Sequence, residues 1–156
     1  MQIHEEDFEN VDPGEPRILF PDEGVWPAQF IRWEAKGYGP WGEKLIVQWR
    51  VLSACPTSSP VTLSRYYNLQ RGAGNRFKFG PLHAFRKDWI AANGGRHPLD
   101  RSKLPLSIFK GRTFLVEIVT VRNDARGPLP PSLYWSKVGR VIRPLEAGER
   151  WEGSTF

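Results

Sequence analysis

The sequence predicts an all-β domain with one helix, arranged as a five-stranded barrel. Five segments show the apolar or alternating pattern of β-strands, and loops rich in glycine and proline separate them. The hydrophobic period changes to that of a helix once, between the third and fourth of these segments. The chain has 156 residues, of which 40% are hydrophobic and 13% aromatic. A chain of this size and composition can bury one globular core.

The first two predicted strands form a hairpin. VWPAQFIRWEA, beginning at Val25, is rich in aromatic and β-branched residues, and the loop KGYGPWGE after it contains three glycines and one proline. In KLIVQWRVL, which follows, one face is apolar and carries Leu45, Val47, Trp49 and Val51. The opposite face carries Lys44, Ile46, Gln48 and Arg50. We expect the apolar face in the core, and Gln48 and Arg50 toward a ligand or toward water.

The third predicted strand is VTLSRYYNL, which leaves through a glycine-rich basic exit, QRGAGNRFKFG. Its inward positions are Val61, Leu63, Tyr67 and Leu69. Tyr66 and Asn68 therefore face outward. Arg65 has the inward parity and breaks the apolar pattern. Either a bulge shifts the register near SRYYN, or the inward face of this strand becomes polar at that point.

A single helix is predicted in GPLHAFRKDWIAANGG. Pro81 suits the first turn of a helix, and Asn93-Gly94-Gly95 provides a stop. Apolar residues recur at helical spacing, at Leu82, Phe85, Trp89 and Ile90. We expect this face to close one end of the barrel.

The last two predicted strands are GRTFLVEIVTV and LYWSKVGRVIRPL, joined by the loop RNDARGPLPPS. The fourth strand is apolar on both faces, which is typical of a strand covered on both sides. In the fifth strand, Trp135 and Lys137 share one face. Trp135 serves either packing or binding.

The order β-β-β-α-β-β is the layout of the OB-fold, a five-stranded barrel with a helix between strands three and four. A barrel of SH3 type lacks the helix, and a ferredoxin-like fold requires a helix after its first strand, where the glycine-rich loop prevents one. We therefore predict an OB-fold domain over 25–145. An acidic N-terminal arm, 1–24, precedes it, with a short paired piece at RILF, and a short tail, 146–156, follows it.

The charge is distributed unevenly along the chain. Residues 1–24 contain eight acidic side chains and one basic one, for a net charge of −7. Residues 25–143 contain twenty basic and six acidic side chains, for a net charge of +14, and residues 144–156 carry a net charge of −2. A basic body of this density is typical of a protein that binds a polyanion. Charge alone does not distinguish DNA, RNA and anionic lipid.

The sequence shows no catalytic or metal-binding arrangement. It contains one cysteine and three scattered histidines, and it lacks a phosphate-binding glycine loop and a nucleophile elbow. We therefore expect a non-enzymatic protein without cofactor or metal. The N-terminus MQIHEEDFEN is acidic rather than apolar, and no apolar run approaches the length of a membrane span. We expect a cytoplasmic protein with no membrane contact.

Aromatic rings and cations occur together where an OB-fold binds its ligand, on strands two and three and on the loops between strands one and two and between strands four and five. Bases stack on exposed rings while cations neutralise phosphates. Tyr38, Trp41 and Tyr66 are the predicted stacking residues, although Tyr38 and Trp41 alternatively fold back over the barrel end. The predicted nucleic-acid-binding residues are Lys36, Tyr38, Trp41, Lys44, Gln48, Arg50, Arg65, Tyr66, Arg76, Lys78, Arg122, Arg126 and Lys137.

Four segments of the chain together resemble the single-stranded-DNA-binding OB-fold proteins of phages, plasmids and integrative elements. They are GVWPAQFIRWEAKGYGPWGEKLIVQWRVL, YYNL, GRTFLVEIVTVRND and LYWSKVGRVI. This resemblance covers about residues 24–145. It implies single-stranded DNA as the partner, low sequence specificity, and a role in DNA replication, recombination or transfer. The ending ERWEGSTF is similar to the acidic, Phe-terminated tails by which bacterial single-stranded-DNA-binding proteins dock partner enzymes, but it lacks their acidic run and the proline before the phenylalanine.

Two other functions remain open from the sequence. The first is an OB-fold protein-interaction module that inhibits or adapts a host protein through its basic face. The second is an RNA-binding OB domain of cold-shock type, although FKFG matches the aromatic strand signature of those domains only superficially. The sequence leaves the oligomeric state open.

Overall fold

The computed structural model of the chain describes residues 18–20, 22–37, 42–52, 60–71, 77–78, 83–101 and 103–149. Its regular elements are β1 (Gly24–Gly37), β2 (Glu43–Val51), β3 (Val61–Arg71), β4 (Phe77–Lys78), α1 (Ala84–Ala92), β5 (Thr113–Val121), β6 (Asn123–Asp124), β7 (Gly127–Pro128) and β8 (Trp135–Pro144). Short 3₁₀ turns cover Leu106–Phe109 and Pro131–Leu133.

Five long antiparallel strands and one helix make up the described fold, as the sequence predicts. The sheet order is β4-β3-β2-β1-β5-β8. Two features were not predicted: the two-residue strand β4 pairs with the end of β3, and β6 and β7 form a small hairpin between β5 and β8. No helix in the described ranges is long and apolar enough to span a membrane.

The sheet is open between β3 and β8, so the predicted barrel is not closed by backbone pairing. Among the described residues, hydrogen-bond ladders join every other pair of neighbouring long strands but not these two. Side chains bridge the opening instead. Asp88 of α1 accepts hydrogen bonds from Arg65 Nε at 3.0 Å and from the Tyr67 hydroxyl at 2.6 Å, both on β3. Its other carboxylate oxygen accepts from the Val141 backbone N–H of β8 at 3.1 Å.

This Asp88 bridge (Asp88 with Arg65, Tyr67 and Val141) explains the irregular position of Arg65. The β2–β3 register runs without a shift from Glu43 opposite Leu69 to Val51 opposite Val61, so the bulge considered near SRYYN is absent. Arg65 points inward because the inward face becomes polar where Asp88 meets it.

The core is built around Trp49, as its position in β2 predicts. Its ring makes edge contacts with Phe109 at 5.6 Å and with Phe114 at 5.8 Å between ring centroids. From α1, Phe85 and Trp89 pack into the same core. Trp89 also donates its indole N–H to the Pro105 carbonyl at 3.0 Å, which ties the helix to the following connection.

The helix begins later than Pro81, at Ala84, and both Pro81 and Leu82 lie outside the described residues. His83 is the N-cap. Its Nδ1 accepts the backbone N–H of Phe85 at 3.0 Å, which satisfies one of the donors left open in the first turn.

The short paired piece expected at RILF is present for residues 18–20. The Ser136 N–H of β8 donates to the Ile18 carbonyl at 2.8 Å, and the Phe20 N–H donates to the Ser136 hydroxyl at 2.7 Å. Phe20 also makes an edge contact with Trp26 at 5.4 Å. The end of the predicted arm therefore packs on the domain.

Candidate nucleic-acid interface

One face of β1, β2 and β3 carries most of the predicted binding residues of the sheet. Residues directly opposite each other in an antiparallel ladder share a face, so the register defines rows across the three strands. The rows, which we call the outer face, are Lys36–Lys44–Asn68, Glu34–Ile46–Tyr66, Arg32–Gln48–Ser64 and Gln29–Arg50–Thr62.

Tyr66 lies beside Trp135 across the opening between β3 and β8. Their ring centroids are 6.0 Å apart and the ring planes are nearly perpendicular, at 89°. Both side chains are partly exposed. The two strands therefore contribute one ring each to a shared aromatic pair, and Trp135, which the sequence left between packing and binding, stands next to the predicted stacking residue.

Lys137 adds a cation beside this aromatic pair. It shares the Trp135 face of β8, and its pKa is lowered by partial burial and then by the positive charges of Arg65 and Lys44. Lys44 lies in the row next to Tyr66 and opposite Lys36. Because these like charges are held together, an anion bound here would relieve their repulsion.

Two further basic residues border the same end of the outer face. Lys78 of β4 is opposite Gln70, beyond Asn68 on β3, and is exposed. Arg126 is exposed in the turn between β6 and β7, where its backbone N–H donates to Asp124 Oδ1 at 2.8 Å. Since β5 ends at Val121, opposite Trp135, this hairpin begins next to the aromatic pair.

Arg122 is predicted to contact phosphate and is already engaged in the structure. It donates to the Glu23 carboxylate at 2.9 Å, and its guanidinium lies 5.7 Å from the Tyr134 ring centroid. Hydrogen bonding from Thr120, together with the charge and hydrogen bond of Arg122, lowers the pKa of Glu23. The pair is exposed, so Arg122 can exchange Glu23 for a phosphate at small cost.

Gln48 lies on the outer face, as predicted, but it is buried, with 5% of its surface exposed. Its amide oxygen accepts from Arg32 Nε at 2.6 Å. Ile46, in the neighbouring row, is also buried. Arg50 lies two rows beyond Ile46 and is exposed. Of these two predicted residues, Gln48 and Arg50, only Arg50 therefore presents its side chain to solvent.

Arg65 is the predicted site residue that the structure places on the inward face. Only 13% of its side chain is exposed, and its guanidinium lies 4.5 Å from the Tyr67 ring centroid while donating to Asp88. Burial, together with the Asp88 charge, raises the pKa of Tyr67 well above its usual value. The position of Arg65 supports a structural role. Its positive charge also contributes to lowering the pKa of Lys137.

Three predicted residues, Tyr38, Trp41 and Arg76, lie outside the described residues. The structure therefore brings together Lys36, Lys44, Tyr66, Lys78 and Lys137 at one end of the outer face, with the β6–β7 hairpin beside them, and places Arg50 nearer the other end.

Arg32 also lies on the outer face, and its sequence pattern did not predict it as a site residue. Alternation from Phe30 would put Ile31 on the outer face, but a bulge between Phe30 and Arg32 shifts the register so that Arg32 stands opposite Gln48. The signal available in the sequence was the resumed alternation of polar residues at 32, 34 and 36, out of phase with Gln29.

In the described part of the chain, no group of three His, Cys, Asp or Glu side chains is arranged to hold a metal ion. Comparison with family models, with curated proteins and with solved structures finds no match to this chain. Any proposal about the function therefore rests on the geometry of the outer face.

Proposed function

We propose that this chain is a non-enzymatic OB-fold protein that binds single-stranded DNA with little sequence preference. The strand order β3-β2-β1-β5-β8, and a helix between β3 and β5, support an OB-fold, which is a partly open five-stranded barrel. The resemblance to single-stranded-DNA-binding proteins of phages and mobile elements points to DNA replication, recombination or transfer in the cytoplasm.

The observation that carries this proposal is the Tyr66–Trp135 pair beside Lys44 and Lys137. Single strands bind where rings for stacking lie next to cations for phosphate, and every base offers a face for stacking. A ring pair with neighbouring lysines therefore holds a nucleotide whatever its base. The pKa of Lys137 is lowered first by partial burial and then by the positive charges of Arg65 and Lys44, and such a cluster of positive charge favours a bound polyanion.

In this proposal the strand crosses the outer face from the β6–β7 hairpin toward β1. A base stacks against Tyr66 and Trp135 at the opening between β3 and β8. Lys44 and Lys137 neutralise the adjoining phosphates, and Lys36 and Lys78 extend the basic track on either side. Arg126 and Arg122 approach from the hairpin.

The test is fluorescence anisotropy of labelled dT and mixed-sequence oligonucleotides at two salt concentrations. Tyr66→Leu removes a stacking platform worth about 1–3 kcal/mol, so the affinity should fall about tenfold, whereas Tyr66→Phe keeps the ring and most of the affinity. Lys137→Gln should reduce the slope of log affinity against log salt by about 0.7.

Lys110→Gln is the matched control for charge, because Lys110 is exposed and lies just before β5, at the end opposite the aromatic pair. It should leave the affinity within about twofold of the wild type. Equal affinity of Tyr66→Leu and Tyr66→Phe would refute the stacking role. Tight binding of RNA but not DNA would favour the RNA-binding alternative, and no binding of either at low salt would favour the protein-interaction module.

A further inference from the structure

A connector, residues 94–105, leaves α1 and turns back along it. Gly94 and Gly95 have positive φ angles of 69° and 86°, which reverse the chain at the end of the helix. Further along, the side chain of Arg86 of α1 donates to the Arg101 carbonyl at 3.2 Å. The helix therefore holds the backbone of the connector in place.

Positive charge is concentrated on α1 and this connector. Five cations lie there, against one exposed carboxylate, that of Asp100. The other carboxylate, that of Asp88, is buried and bound to Arg65. The five cations are Arg86, Lys87, Arg96, Arg101 and Lys103.

The cations of the connector differ from those of the sheet in how they are neutralised. On β8, Arg140 and Arg143 each donate to a carboxylate, at 3.3 Å and 2.7 Å. Within the described ranges, Arg96, Arg101 and Lys103 are exposed and have no carboxylate at ion-pair distance. Neighbouring cations without counter-charges repel each other, so a bound polyanion would stabilise this surface.

The connector and α1 offer cations without rings for stacking. Their only Phe and Trp side chains, Phe85 and Trp89, are buried in the core. Single strands bind through stacked bases, whereas a duplex keeps its bases paired and presents one phosphate charge per about 1.7 Å of its axis. Exposed cations without exposed rings therefore fit the backbone of a duplex.

The connector lies apart from the Tyr66–Trp135 pair. It packs on α1, and α1 meets β8 at Val141, where Asp88 accepts the backbone N–H. Trp135 is at the opposite end of β8, roughly 20 Å away along the strand. A ligand on the connector therefore leaves the aromatic pair accessible.

We propose that the connector surface, defined by Arg96, Arg101 and Lys103, binds the phosphate backbone of duplex DNA. Contacts of this kind fix the position of a protein on a duplex without reading the sequence. Together with the single-strand binding proposed above, this second surface places the chain at a junction between a duplex and its single-stranded extension. The duplex contact itself does not depend on that single-strand binding.

The experiment measures the affinity of the full chain for a labelled blunt duplex across a salt series, by fluorescence anisotropy. Labelled dT of about eight nucleotides is the comparison. A triple variant, Arg96→Gln with Arg101→Gln and Lys103→Gln, should lower the duplex affinity about tenfold or more. It should also reduce the salt slope by about 2.7, since each phosphate contact contributes about 0.9. Arg140→Gln is the matched control, because Glu117 already neutralises this exposed arginine, and it should leave both affinities within about twofold.

The three substitutions preserve the contacts that hold the connector. The Arg101 carbonyl still accepts from Arg86, and the Arg96 carbonyl still accepts from the Asn93 side-chain amide at 3.1 Å. The triple variant should therefore keep the thermal midpoint of the wild type and bind dT within about twofold of it.

Tyr66→Leu distinguishes this proposal from the single-strand one, because it should weaken dT binding and leave duplex binding unchanged. If dT is not bound and the triple variant still weakens duplex binding, the single-strand proposal fails and the connector proposal stands. A wild type that binds no duplex at low salt would overturn the connector proposal. So would a triple variant with wild-type duplex affinity, or release of the duplex by one equivalent of dT. A glutamate peptide that binds where the duplex does not would indicate an acidic protein partner and would overturn it equally.

Discussion

Asp88 is predicted to be a principal determinant of stability, because its hydrogen bonds join α1 to both strands that border the opening in the sheet. The perturbation is Asp88→Asn, which preserves the size of the side chain but replaces one acceptor oxygen by a donor NH₂. The carboxylate is almost fully buried and accepts from Arg65, Tyr67 and Val141. Whichever way the amide is oriented, its NH₂ faces at least one donor.

The magnitude follows from the charges involved. Removing one member of a buried ion pair costs about 3–5 kcal/mol, because the other charge is left without its partner. Arg65 retains its hydrogen bond to the Tyr66 carbonyl at 3.1 Å and its contact with the Tyr67 ring. We therefore expect a loss near the lower value, about 3 kcal/mol. For a domain of this size, that corresponds to a fall in Tm of roughly 10 °C.

The assay is urea unfolding at neutral pH, followed by tryptophan fluorescence, with a thermal scan as a second measure. Asp124→Asn is the control, because Asp124 is an exposed carboxylate that accepts one backbone N–H in a turn. It should cost under about 1 kcal/mol. The double variant Asp88→Asn with Arg65→Met should be more stable than Asp88→Asn alone, because the uncompensated cation is gone. A free energy of unfolding for Asp88→Asn within about 1 kcal/mol of the wild type would show that the Asp88 bridge does not stabilise the fold as described.

Three further predictions concern other parts of the domain. Burial and Asp88 raise the pKa of Tyr67, so the unfolded chain loses this proton first, and stability should fall as the pH rises above about 10. Tyr67→Phe should make that fall shallower, and an unchanged slope in alkaline urea titrations would contradict this. A Cβ at Gly139 would lie 3.0 Å from a Val119 methyl group, so Gly139→Val should lower stability by about 1–3 kcal/mol; an unchanged urea midpoint would argue against this crowding. Partial burial, followed by the charges of Arg65 and Lys44, lowers the pKa of Lys137, so Lys137 should lose its proton at a lower pH than an ordinary lysine, and oligonucleotide affinity should decrease as it does so. Lys137→Gln should bind with a weaker pH dependence over this range, and identical profiles would exclude Lys137 as the titrating group.

Much of the strand architecture could be predicted from local pattern. The alternation in β2 placed Trp49 in the core and Arg50 on the opposite face, and both placements are confirmed. The change of period identified the helix, and Phe85 and Trp89 form its buried side. These predictions succeed because the residues that face the core recur at every second position in a strand and at every third or fourth position in a helix.

Other features could not be predicted, because they depend on contacts between distant segments. The inward position of Arg65 is explained only by Asp88 of α1, which meets it, and the bulge that turns Arg32 to the outer face is indicated in the sequence only by the polar alternation at 32, 34 and 36. The opening between β3 and β8 depends on the curvature of the whole sheet.

Local period and composition set the number of long strands, the position of the helix and the basic character of the body, so these features could be predicted from the sequence. The packing of distant strands brings Tyr66 to Trp135 and Lys137 toward Lys44, and it leaves Trp33 beyond Thr113, where β5 begins. Ring contacts, charge proximity and strand edges arise from how the sheet curls, because the curl places residues from separate strands side by side.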